Sequence, residues 1–200
     1  MEHTIIIAGI IVLLLLLTLR FFHRLRPKTV ASPNYSGVAL RDITIQDIDR
    51  MEGQQFEEYI TRVLREAGYV DAYQTHVTGD YGADVVFTDR SGQRNIIQTK
   101  RYDTDIPVNL EAVQQVYTAK NYYQAKKTMV ITSSTYRESA ETLAGVNGVL
   151  LLDRHDLIQL IDALRKNDVE WVKNILERDP RIIYSFWDDP EYTRLINKTK

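Results

Sequence analysis

The chain has 200 residues, of which 44% are hydrophobic and 26% charged; that is enough for one packed core plus an appendage, since a single core is comfortable at about 100–200 residues. It contains no cysteine, which excludes disulfides, thiolate nucleophiles and Cys-based zinc sites. The net charge is −2, but Arg20, Arg24, Arg26 and Lys28 are offset before residue 29 only by Glu2, so residues 29–200 carry 21 basic against 26 acidic side chains, a balance of −5. That balance argues against a domain that holds nucleic acid by bulk charge alone.

Thr4 to Leu19 is uncharged, and as a helix rising about 1.5 Å per residue it covers roughly 24 Å of a hydrocarbon layer about 30 Å thick. Phe21, Phe22 and Leu25 extend the apolar surface, and Arg20 and Arg24 can snorkel to head groups. Residues 4–22 are therefore expected to form a transmembrane anchor in contact with membrane lipid. A cleaved secretory signal would carry its positive charge before the apolar run, whereas here the charge follows it. The same cluster predicts an outside N-terminus and a cytoplasmic main domain on a single-pass protein of a bacterial-type inner membrane. Pro27, Pro33, Asn34, Ser36 and Gly37 deny any regular period, so residues 23–41 read as a basic juxtamembrane segment and tether.

Helical and strand-like periods then alternate over residues 42–165, which points to an α/β domain. Phe56, Ile60, Val63, Leu64 and Ala67 recur at helical spacing with Gly68 after them, predicting a helix from Gly53 to Ala67. Tyr73 to His76 reads as a short strand. Ala83 to Thr88 and Arg94 to Tyr102 flank the turn Asp89-Arg90-Ser91-Gly92 as a β-hairpin. Val108 to Gln124 reads as helix, Thr128 to Thr132 as a buried strand, Tyr136 to Ala144 as helix, Val149 to Leu152 as strand and His155 to Leu164 as a closing helix. In the extension of residues 166–200, Val169, Val172, Ile175 and Leu176 keep helical spacing before the aromatic run of Tyr184, Phe186 and Trp187. That run is expected to pack on the parent domain, with a protein partner as the alternative.

Strand alternation sends Gln98 and Lys100 to one face. Across the hairpin, Asp84 is the sole acid in Ala83-Asp84-Val85-Val86-Phe87, and the preceding turn is rich in glycine. An acid, an oxygen ligand and a lysine at one point suit phosphodiester hydrolysis: oxygens hold a divalent cation and an ammonium stabilises developing negative charge. Glu57, at the edge of the first helix's apolar stripe, can supply a second carboxylate. Asp80 in its turn, Arg101 and Tyr102 after the strand, and the isolated His76 and His155 read as structural.

Gly53-x-x-Phe56-Glu57, then Gly79-Asp80-Tyr81-Gly82-Ala83-Asp84, then Gln98-Thr99-Lys100-Arg101-Tyr102 resemble the Mrr-like restriction endonuclease family of the PD-(D/E)xK superfamily, over about Met51 to Ile161. Its members commonly carry Gln where others have a second acid. The resemblance implies a restriction-endonuclease-like αβββαβ core with a central mixed sheet flanked by helices. It also implies cleavage of DNA with Mg²⁺, for which Mn²⁺ can substitute. Asp84, Gln98 and Lys100 would be the central triad, Glu57 the helix acid and Gln114 a further catalytic group. Thr132 would orient phosphate or neighbouring groups. Asp84, Gln98, Glu57 and the carbonyl of Thr99 would be the metal ligands. A homodimer is compatible with this reading, and foreign or modified DNA is the natural substrate class. The alternatives are a DNA repair nuclease and a non-catalytic membrane-bound scaffold or nucleic-acid sensor.

Overall fold

A computed structural model describes residues 33–75 and 81–183. The expected anchor at residues 4–22, the basic residues through Lys28, His76, Asp80 and the aromatic run from Tyr184 onward lie outside the described residues. Among the described residues no helix is long and apolar enough to cross a membrane.

The elements follow in the order α1 (Ile45–Ile48), α2 (Gly53–Glu66), β1 (Tyr73–Gln74), β2 (Val85–Thr88), β3 (Arg94–Lys100), α3 (Glu111–Tyr122), β4 (Lys127–Thr132), α4 (Glu138–Asn147), β5 (Val149–Leu152), α5 (Arg154–Arg165) and α6 (Val169–Leu176). The strands form one sheet in the order β1-β2-β3-β4-β5. β1, β2 and β3 pair antiparallel, while β3–β4 and β4–β5 are parallel. The segment from α2 to β4 is thus the αβββαβ arrangement around a mixed sheet.

Alternation along each strand divides the core in two. Val85, Phe87, Ile97, Met129 and Ile131 face one way and pack with Phe56, Ile60 and Leu64 of α2 and with buried residues of α5 and α6. Val86, Ile96 and Val130 face the other way, against Val113 and Val116 of α3 and Ala140 and Ala144 of α4. The β2–β3 turn is closed by Asp89, whose carboxylate accepts from Ser91 Oγ at 2.6 Å and from the amides of Ser91 and Gln93. Burial pushes that carboxyl up, but these bonds and Lys127 outweigh it and hold it well below the usual carboxylate range.

Several boundaries differ from the sequence expectation for identifiable reasons. Residues 33–41, expected in the tether, belong to the compact unit that begins at Pro33. Tyr35, Val38 and Leu40 pack against the core, and Arg62 donates to the carbonyls of Tyr35 and Val38. Helix α1 is too short to show a period, yet a Thr44–Asp47 capping box starts it, and it brings the fully buried Ile48 beside Ile43 and Met51. The third helix begins at Glu111 rather than Val108, because the buried Val108 instead forms a bridge with Tyr136. Tyr136, expected to start the next helix, precedes it and donates its hydroxyl to the carbonyls of Val130 and Leu152, tying β4 to β5.

Within the expected C-terminal extension, α6 buries Val172, Ile175 and Leu176. Just after it, Glu177 accepts from Tyr69 Oη at 2.7 Å and from Arg90 Nε at 2.7 Å. Burial pushes the Glu177 carboxyl up, but Tyr69 and Arg90 outweigh it and hold it below its ordinary value. The described part of this extension therefore completes the core and clasps the β2–β3 turn.

Candidate active site

The β2–β3 ladder pairs Val85 with Ile97, so the residue before β2, Asp84, arrives opposite Gln98 near the end of β3. The amide of Asp84 donates to Ile97 O at 2.8 Å. Beyond that point the carboxylate takes over from the backbone: Asp84 Oδ2 accepts from Gln98 Nε2 at 2.6 Å, from Thr99 N at 2.6 Å and from Thr99 Oγ1 at 2.9 Å. All three residues are buried. Hydrogen bonds to an ionised acceptor are short and roughly twice as strong as neutral ones, so this knot holds the two strands where their ladder ends.

By alternation Asp84, Gln98 and Lys100 share the sheet face of Val86 and Ile96. Lys100 is half-buried, and its carbonyl accepts from Thr132 Oγ1 at 2.7 Å and from Ser133 N at 3.3 Å. On the other side, α2 presents Glu57, whose Oε2 accepts from Gln74 Nε2 at 2.7 Å. Gln74 is in register with Val85, next to Asp84, so this hydrogen bond ties the helix acid to the strand that borders the Asp84 segment. Asp84, Gln98, Thr99 and Lys100 are thus gathered at the end of the central strand β3, with Glu57 tied to it through β1.

Thr99 departs from its expected emphasis. Its amide and hydroxyl hold Asp84, while its carbonyl lies 3.4 Å from Gln98 Nε2. Thr132 orients the end of the lysine strand through the Lys100 carbonyl. Gln114 is exposed and lines an open groove with Leu143 and Val146 of α4. Its neighbour Gln115 supplies the backbone that meets the glycine turn.

The sequence reading missed Ser133 and Ser134, both fully buried. Ser133 Oγ donates to Tyr102 O at 2.7 Å and accepts from Tyr102 N at 2.9 Å, and Ser134 Oγ donates to Ile106 O at 2.8 Å. A run of hydroxyl residues directly after a buried strand is the signal that could have found them. Arg101 donates to Asp49 O and to the Asp103 carboxylate, a structural use. His155 has acids beside it after all, since Asp153, His155 and Asp156 place ligand atoms within 4.8 Å of one another. Those acids cap the N-terminus of α5, and Asp156 also pairs with Arg178 at 2.7 Å, so the cluster serves the fold.

A family model described as restriction endonuclease, Mrr_cat, matches residues 48–161, the span that holds every element of the site. No curated protein matches the chain. Among solved structures, the DNA modification-dependent restriction endonuclease AspBHI is similar at 17% identity over 66% of this chain and 38% of its own, with a TM-score of 0.46. The MspJI restriction endonuclease in complex with an oligonucleotide is similar at 15% identity over 83% of this chain and 40% of its own, with a TM-score of 0.43. The protein of unknown function AF1548 is similar at 20% identity over 49% of this chain and 56% of its own, with a TM-score of 0.41. The chain spans less than two thirds of each of these structures.

Gly82 sits at φ +91, and a Cβ there would lie 2.7 Å from Gln115 O, so the approach to Asp84 needs glycine both for its backbone angle and for space against α3. Gly82→Ala should lower stability by more than about 1 kcal/mol in a denaturant titration. A variant as stable as the parent would show that the turn does not need this close approach.

Proposed function

The chain belongs to the Mrr-type restriction endonuclease family, and on that premise we propose that it is a Mg²⁺-dependent endonuclease that hydrolyses DNA phosphodiester bonds. The observation that carries this reading is the knot at Asp84, which sets an acid, an amide and, two residues on, Lys100 at the end of β3.

The available donors suit a hard cation: the carboxylates of Asp84 and Glu57, the amide oxygen of Gln98 and the carbonyl of Thr99 are all oxygens. With Oδ2 of Asp84 accepting from three donors, the carboxylate is held in place to meet the ion. Bound there, Mg²⁺ would polarise the phosphate and ease ionisation of water, and Mn²⁺ takes the same kind of donor. The protein's own contributions are distinct. Lys100, at the end of β3, places an ammonium beside the charge that grows on the phosphate oxygens. Thr132 and Ser133 hold the backbone of that lysine in place, so little reorganisation is needed when substrate arrives.

Restriction of foreign or modified DNA is the role that family membership favours. The test uses the full chain purified in mild detergent, with supercoiled plasmid in unmodified and methylated forms. Cutting is expected with Mg²⁺ and not with EDTA, and Asp84→Ala and Lys100→Ala should each reduce it by about 100-fold or more. Cutting that ignores EDTA or both substitutions would overturn the assignment.

Membrane attachment is part of the proposal and is supported by the uncharged run and its trailing basic cluster. Tethering would concentrate an enzyme of low bulk DNA affinity where DNA nears the membrane. In cell fractionation the full chain is expected in the membrane pellet and released by detergent, and a chain lacking residues 1–28 should be soluble. Recovery of the full chain in the soluble fraction without detergent would remove the anchor from the proposal.

A further inference from the structure

A second cavity shares only helix α2 with the candidate active site. It opens where the turn Leu40–Asp42, the C-terminal half of α2, the end of α5 and the start of α6 meet, and its volume is about 460 Å³. That size lies within the range of small-molecule sites and exceeds what a single inorganic anion needs.

Its walls carry Arg41, Arg62, Arg65 and Arg165 against two acids, Glu66 and Asp168. Asp168 is occupied as the cap of α6, accepting from Trp171 N at 3.0 Å. Among the described residues Arg41, Arg62 and Arg65 form no ion pair, and Arg165 has only a loose one to Asp162 at 3.8 Å. Two of the guanidiniums are held by neutral acceptors: Arg62 by the carbonyls of Tyr35 and Val38, and Arg65 by Ala72 O at 2.9 Å. Such bonds orient a guanidinium without cancelling its charge. Leu164 and Val172 add apolar wall.

A separate observation points the same way. Tyr59 is only 2% exposed, and its hydroxyl is buried with no hydrogen-bond partner among the described residues. A buried polar group left so is uncommon and calls for an explanation. Burial acts most strongly on this hydroxyl, and the charges that oppose it are those of Arg165 and Arg62, two of the residues that line the cavity.

We propose that this cavity binds a phosphate-bearing organic anion of up to nucleotide size, with Arg41 and Arg165 engaging the phosphoryl group. A guanidinium fork matches phosphoryl oxygens in a way that few other groups do. The same chemistry could come from a free nucleotide or from a lipid head group, and the test separates these sources.

Isothermal titration calorimetry on the full chain in EDTA, with ATP in one arm and glycerol 3-phosphate in the other, reads the binding directly. Saturable binding is expected in at least one arm, and tighter ATP identifies a nucleotide whereas tighter glycerol 3-phosphate identifies a head group. The Arg41→Gln/Arg165→Gln protein, in which neither changed arginine holds backbone among the described residues, should bind about tenfold more weakly or worse. Asp84→Ala should bind as the parent does. Absence of saturable binding in both arms, unchanged affinity in the double arginine variant, or loss of binding in Asp84→Ala would each overturn the proposal.

Discussion

The carboxylate of Asp84 is the constraint on which the candidate active edge depends. A buried carboxyl group is tolerable only when hydrogen bonds replace its lost water, and here one oxygen receives three donors from two consecutive residues, Gln98 and Thr99. This clamps the start of β2 onto the end of β3 where the backbone ladder has run out. From the other side, Thr132, Ser133 and Ser134 at the end of β4 hold Lys100, Tyr102 and Ile106 by their hydroxyls. Lys100 therefore leaves the sheet from a segment gripped on both flanks. Groups held this way can meet developing charge without first having to move, as the proposed function requires.

Much of this was legible in the sequence because the decisive periods are long or strict. Helix α2 runs Gly53–Glu66, against an expectation of Gly53 to Ala67, since five apolar residues at helical spacing bounded by glycine leave little freedom. The faces of β2 and β3 follow from alternation alone, and with them the common side of Asp84, Gln98 and Lys100. Glu57 beside β1 was approachable from the edge of the apolar stripe, although its partner Gln74 was not. What stayed hidden depends on contacts remote in sequence. Val108 looks like the start of a helix until Tyr136 pairs with it. Ser133 and Ser134 look like a surface loop until the segment after β3 folds over them. The four residues of α1 are too few for any period to declare itself.

Helix α2 links two different chemistries. Toward its N-terminus it carries Glu57, tied to the edge strand beside Asp84. One turn and more along, Arg62 and Arg65 turn to the opposite use, guanidiniums around a separate cavity. The residues before α1 matter to that second use, because Arg62 is oriented by the carbonyls of Tyr35 and Val38. A domain whose overall charge is acidic thus concentrates arginine locally, which is how a protein without a basic surface can still hold an anion.

The most direct test of the Asp84 knot as a cation site is Mn²⁺ binding to the full chain, measured by calorimetry on the parent and on Asp84→Asn, with thermal unfolding followed for both. Asparagine keeps the shape of the side chain and removes its charge, so folding and ion binding can be read apart. The expected result is saturable binding by the parent, weakened about tenfold or more in the variant, with the variant still unfolding cooperatively. Equal Mn²⁺ affinity in the two folded proteins would contradict the placement of the ion at Asp84.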